Sequence, residues 1–218
     1  MDKSEVKNAL ETIKKDSKPR KFKQRIELII NLKGLNLKKP EHQLELYVPL
    51  HYSSGKPIKI AAFVGVELKD DAAKVMDTSV FINDFDKYKD KKVVKKFASE
   101  HQFFVAQANI MPKVAQTFGK ILGTRGKMPN PKAGCVVAPK TNLKPLYDRL
   151  QKTIAVKAKI QPSIKVPVGI EGQADDEVID NVMTIVNAVV HKLPNEVNNI
   201  KNVLLKTTMG KPVAMKHT

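Results

Sequence analysis

Apolar residues recur along this chain at two spacings, helical and alternating, and the two take turns. Residues 2–15 place Val6, Leu10 and Ile13 at helical intervals with Lys and Glu between them, which predicts an amphipathic helix. Lys18-Pro19-Arg20 breaks it. Over 21–33 the pattern alternates. Phe22, Ile26, Leu28, Ile30 and Leu32 fall on one face of a predicted strand, and Lys21, Lys23, Arg25 and Glu27 on the other. Gln24 interrupts the apolar face. Gly34 ends the strand, a polar connection follows, and 43–50 repeats the alternation through Leu44, Leu46 and Val48. Residues 51–57 read as a turn.

The middle of the chain is patterned differently. Residues 58–64 form a nearly continuous apolar run, as in a strand buried on both faces. A helix over 68–76, a strand over 78–82, a helix over 91–99, a strand over 102–106 and a helix over 111–122 follow, the last opening at Pro112. A final helix spans 141–152, capped by Thr141 or Asn142. Strands alternating with helices imply a parallel, doubly wound sheet.

From Thr153 the first pattern returns. Residues 154–160 and 164–170 alternate on either side of Pro162 and are expected to pair as a hairpin. Residues 175–193 carry a broad apolar stripe of Val178, Ile179, Val182, Ile185, Val186 and Val189, and 200–208 is a last long strand before a short basic tail. The expected fold is therefore an α+β outer domain built from both chain ends, 1–59 and 154–218, with an inserted Rossmann-like α/β three-layer domain over 60–153. Few helices cover the outer sheet, so one of its faces is expected to be free for a partner.

Composition narrows the function. Lys and Arg number 39 against 22 Asp and Glu in 218 residues, a net charge of +17, which favours a polyanion through phosphate attraction and counterion release. No run of apolar residues is long enough to span a membrane, and no apolar signal-peptide core opens the chain. The one cysteine, Cys135, excludes an internal disulfide and fits a reducing compartment, so a cytoplasmic setting is expected. No Cys/His cluster has zinc spacing, and no cofactor is expected. Asp175-Asp176-Glu177 reads as acids complementing a helix start rather than a magnesium site. No His lies in a catalytic motif with Cys135.

The most locally determined stretch is Gly123-Thr124-Arg125-Gly126-Lys127-Met128-Pro129-Asn130-Pro131-Lys132-Ala133-Gly134. Glycine frees the backbone and proline stiffens it, so this is a shaped loop. It is not a Walker loop: Ile121 stands where the first Gly belongs and Met128 where the hydroxyl belongs. A Gly-x-Gly-x-x-Gly fingerprint is also absent. Together with the preceding Leu122 and with Thr207-Thr208-Met209-Gly210, this stretch resembles the family of the first large-subunit ribosomal protein, L one, which stands in the mobile stalk beside the tRNA exit site. The compact length resembles the archaeal type. Cys135 departs from the Thr that many relatives carry.

The resemblance implies that the outer domain grips the large-subunit rRNA stalk, that the protein attends exit-site tRNA release, and that the same surface represses translation by binding its own mRNA. It implies a monomer away from the ribosome and no enzymatic role. Basic residues on strand faces, Lys21, Lys23, Arg25, Lys157, Lys159 and Lys165, are the candidate phosphate contacts; solvated sheet faces are the plain alternative. Phe22 is either an edge core residue or, as the family implies, an aromatic packing at the RNA. Glu27 pairs locally with a cation or accepts a base amino group. Thr207, Thr208, Met209 and Gly210 carry the family's RNA-contact role. Arg125, Lys127 and Lys132 of the Gly/Pro loop are a secondary element, nucleic-acid-binding or structural. The competing functions are a nucleotide-using α/β enzyme and a nonspecific nucleic-acid coat.

Overall fold

The computed structural model describes residues 2–88 and 90–215. In chain order its helices and strands are α1 (Lys3–Asp16), β1 (Arg25–Leu32), β2 (Leu44–Pro49), β3 (Ile60–Val64), α2 (Lys69–Val75), β4 (Thr78–Phe81), α3 (Lys91–Glu100), β5 (Phe103–Gln107), α4 (Met111–Thr124), β6 (Val136–Val137), α5 (Leu143–Gln151), β7 (Thr153–Ala158), β8 (Ser163–Ile170), α6 (Asp175–Val190), β9 (Ile200–Thr207) and β10 (Val213–Met215). The architecture is mixed α/β, with parallel and antiparallel sheets. The chain divides into two compact units, Met1–Lys56 with Lys152–Thr218, and Pro57–Gln151.

In the first unit, β10, β9, β1 and β8 form one antiparallel sheet in that order. Alternation along β1 turns Ile26, Leu28, Ile30 and Leu32 into the core, where Val203 and Leu205 of β9 and Ile164 and Val166 of β8 join them. Val6, Leu10 and Ile13 of α1 and the apolar stripe of α6 close that core from one side. Each such Leu, Ile or Val stabilises by roughly 1.5–3 kcal/mol when fully buried. The other face of the sheet is only half-buried. There Ile29 stands opposite Lys165 and Leu204, and Glu27 opposite Lys206. A second antiparallel pair, β2 with β7, runs from Leu44 opposite Ala158 to Pro49 opposite Thr153.

Two expectations need correction. The first strand begins at Arg25, not at Lys21, so Lys21, Phe22 and Lys23 lie on the segment leading into it. Gln24 is the reason: its backbone N–H donates to the Glu171 carboxylate and its carbonyl accepts from the Glu171 N–H, which anchors the chain before the ladder starts. Nor do β7 and β8 pair as a hairpin. β7 pairs with β2, and β8 with β1. The turn between them is drawn toward β1, because the Leu32 N–H donates to the Pro162 carbonyl at 2.8 Å.

In the second unit, β4, β3, β5 and β6 form a parallel sheet in that order. All five residues of β3 are buried, so both of its faces are covered. α3 packs with α4 and α2 with α5. Phe63 anchors an aromatic cluster, with ring centroids 4.6 Å from Phe118, 5.8 Å from Phe104 and 5.9 Å from Phe85.

Candidate nucleic-acid interface

The turn that leaves β9 is fastened to the start of β1. Thr208 N–H donates to the Arg25 carbonyl at 3.0 Å, Arg25 N–H donates to Thr208 Oγ1 at 3.0 Å, and Met209 N–H donates to Gln24 Oε1 at 3.0 Å. Gly210 N–H donates to the Thr207 carbonyl at 3.1 Å and closes the turn. A Cβ on Gly210 would crowd Thr207 Oγ1, so any other residue here would force Thr207 to shift. The outcome is a stiff turn whose tip, Met209, is 61% exposed.

Its four residues divide by role. Thr207 shares the phase of Val203 and Leu205 and is buried, so it cannot offer its hydroxyl to a surface partner, contrary to expectation. The Thr208 hydroxyl is engaged with Arg25 and holds the turn. Met209 is left as the exposed side chain of the turn, beside Gly210. On the leading segment of β1, Phe22 is 49% exposed rather than an edge core residue, between exposed Lys21 and Lys23. A groove of about 430 Å³ beside the turn is lined by Ser17, Lys18, Arg20, Gln24, Met209 and Lys211, among others. Its three cations belong to neither strand alternation nor the family motif. The signal for them is the dense basic run after α1 and in the tail.

The remaining basic positions differ among themselves. Lys165 is exposed on the half-open sheet face, and Glu27 lies on that face, half-buried. Glu27 makes no ion pair among the described residues, because the Lys206 ammonium opposite it donates to the Thr208 carbonyl instead. Lys157 and Lys159 are not free cations. Glu45 holds Lys159 at 2.6 Å and Lys157 at 3.4 Å, and the Lys157 ammonium also sits 5.6 Å from the Tyr47 ring centroid. Lys159 lies beyond the end of β7 rather than on it. Burial acts to raise the Glu45 carboxyl, but the hydrogen bond from Lys159 and the charges of both lysines outweigh it and keep its pKa below the usual value.

A family model described as the ribosomal protein L1p/L10e family matches residues 12–211. The chain is 38% identical over 217 residues to the large ribosomal subunit protein uL1 of Methanothermococcus thermolithotrophicus, covering 99% of this chain and 100% of that one. It is 35% identical over 218 residues to uL1 of Pyrococcus abyssi, covering 99% and 97%, and 39% identical over 203 residues to uL1 of Nanoarchaeum equitans, covering 91% and 94%. The chain belongs to the ribosomal L1p/L10e family. It is of the archaeal type, and members of this family are not enzymes.

The L1p/L10e match includes the Gly/Pro stretch, and there the structure revises two residues. Its first two residues, Gly123 and Thr124, are the last turn of α4. Arg125 Nη1 donates to the Lys95 carbonyl at 3.1 Å and to Ser99 Oγ at 2.6 Å. Lys127 Nζ donates to the carbonyls of Ala98 and His101, both at 2.7 Å. Lys127 thus satisfies the C-terminal end of α3, where free carbonyls and the helix dipole attract positive charge, and Arg125 braces the last turns of the same helix. Burial, with the nearby Arg125 charge, lowers the Lys127 pKa. Arg125 and Lys132 are exposed and Lys127 is half-buried. Gly134 closes the stretch at φ +71°, and a Cβ there would meet the Arg149 guanidinium at 2.1 Å.

The cysteine and the acidic run of the sequence have other surroundings. Cys135 is buried and its thiol is pushed up to about 11, by burial against a weaker opposing hydrogen bond from the backbone at Asn130. Asp175 pairs with Lys14, and Glu177 accepts from Gln173. No group of three or more His, Cys, Asp or Glu suited to a metal ion occurs among the described residues.

Proposed function

We propose that this chain is a constituent of the large ribosomal subunit that binds the rRNA of the mobile stalk. The two-piece unit built from both chain ends does the gripping and the inserted unit is carried on it. The observation that carries this reading is the fastened turn: an exposed Met209 is held rigidly beside the approach to β1, which bears an exposed Phe22. Apolar tips of this kind pack on unstacked bases and sugars, and do so only where the RNA presents them. Lys21, Lys23, Arg25 and Lys165 supply phosphate attraction, which is indifferent to sequence. Glu27 adds an acceptor for a base amino group. By the same reading the protein works at the cytoplasmic ribosome, is a monomer away from it, assists release of exit-site tRNA, and represses its own mRNA through a copy of the rRNA site.

Single substitutions separate the contact types. Met209→Ala is expected to weaken a stalk rRNA hairpin by about 1–2 kcal/mol while leaving a scrambled hairpin nearly unchanged. Lys165→Ala is expected to weaken both equally. Titrating the two labelled hairpins with each variant checks this. Equal losses on both RNAs for Met209→Ala would remove the turn from recognition.

A further inference from the structure

We propose that Gln24 is the positioning residue of the RNA-reading turn, and that Glu171 and Ser17 fix it in the one orientation that serves. This rests on the RNA-binding reading above and identifies what sets its specificity. Gln24 falls in the buried phase of its segment, 1% exposed, where an apolar side chain would pack without cost. Its amide instead uses both of its N–H bonds. Nε2 donates to Ser17 Oγ at 2.8 Å and to Glu171 Oε1 at 3.0 Å. Its Oε1 accepts from Met209 N–H at 3.0 Å.

The orientation of that amide follows from chemistry. A carboxylate only accepts, so the NH2 end of Gln24 has to face Glu171. Glu171 is itself pinned: Oε1 also accepts from the Ser17 hydroxyl at 3.0 Å, and Oε2 accepts from the Gln24 N–H at 2.9 Å. The carbonyl end is thereby left for the Met209 N–H. Turning the amide over would bring its carbonyl against the carboxylate and two N–H donors together, leaving buried polar groups unpaired. Three segments, the end of α1, the approach to β1 and the end of β8, thus meet at one side chain that reaches out to the turn carrying Met209. Phe22, two residues before Gln24, is placed through the same backbone anchor. A turn held before the RNA arrives has little ordering left to do on binding. That gain applies to the shape-dependent apolar contacts and not to phosphate attraction.

The test uses the full chain and two variants of unchanged net charge. Gln24→Met keeps the side-chain volume and removes the amide. The double variant Gln24→Glu with Glu171→Gln exchanges carboxylate and amide: the new carboxamide at 171 donates to the new carboxylate at 24, which still accepts from the Met209 N–H. Affinities for a stalk rRNA hairpin and a scrambled hairpin are measured, together with hydrogen exchange of the Met209 amide. Gln24→Met is expected to lower the stalk-to-scrambled selectivity about tenfold and to speed Met209 exchange by a similar factor, with scrambled binding unchanged. The double variant is expected to restore both to within about threefold. A Gln24→Met protein with wild-type selectivity and Met209 exchange would overturn the proposal. So would a folded double variant that restores neither. Should the wild type fail to distinguish the hairpins, the RNA-reading role falls, and Met209 exchange still decides the positioning claim on its own.

Discussion

Each unit of this protein buries one glutamine beside a glutamate, and the two do opposite things. Gln24 in the first unit takes the Met209 N–H on its carbonyl and gives its NH2 to Glu171. Gln107 in the second takes the Gly65 N–H on its carbonyl at 2.8 Å and gives its NH2 to Glu67 at 3.0 Å. The chemistry is the same, but the positions are not. Gln24 sits at the rim of an antiparallel sheet and fastens a turn that points outward. Gln107 ends β5 next to the end of β3, between the two strands where the sheet order reverses. That crevice is where doubly wound sheets ordinarily take a nucleotide. Here Gln107 ties its two sides together. A buried amide thus fastens an outward turn in one unit and bridges the crevice at the strand ends in the other.

This contrast can be broken or sharpened by substitution. The largest effect is expected from Phe63→Ala, which empties the centre of the aromatic cluster and should destabilise the second unit by about 3–5 kcal/mol. Stalk rRNA binding should stay within about twofold in thermal conditions where the variant remains folded. A parallel loss of affinity, measured by hairpin titration beside a denaturant melt, would show that recognition is not confined to the first unit. Next comes Gln107→Leu. It strands the buried Gly65 N–H and should cost about 1–3 kcal/mol in the same melt, again without touching RNA selectivity. A gain of ATP binding in this variant, and none in the wild type, would show that the glutamine is what closes the crevice.

The smallest effect concerns the clasp on β2. Glu45→Gln releases Lys157 and Lys159, and should strengthen binding of any RNA by less than about 1 kcal/mol while steepening its salt dependence. Because the Glu45 carboxyl titrates below its usual value, the clasp is complete above the ordinary carboxylate pKa and is lost as pH falls through the lower folded one. Scrambled-hairpin affinity that is the same for wild type and Glu45→Gln at neutral pH would show that the two lysines never reach phosphate.

The sequence patterning carried the elements further than it carried their partners. Helical and alternating spacing marked α1, β1, α6 and β9 because each presents three or more apolar residues to one core. β6 and β10, of two and three residues, are too short for alternation to register. The burial of Thr207 was available from its phase with Val203 and Leu205, and the weight of the Gln24 position from the same parity along β1. The Glu45 clasp was not available, since it exists only through the β2–β7 register that sets Glu45 opposite Lys157. Arg125 and Lys127 read as loop cations because the α3 carbonyls they satisfy lie 26 to 30 residues earlier in the chain. Met209 was named through the family motif, and the fold adds its setting: its neighbours are consumed in holding the turn that exposes it.

The central claim is that this surface reads an RNA shape and does not merely collect phosphate. The most direct measurement is the affinity of the full chain for a short stalk rRNA hairpin and for a scrambled hairpin across a series of salt concentrations. The account predicts that stalk binding persists at salt that abolishes scrambled binding. If both affinities fall together along one line, the +17 charge explains all the binding and the fastened turn reads nothing.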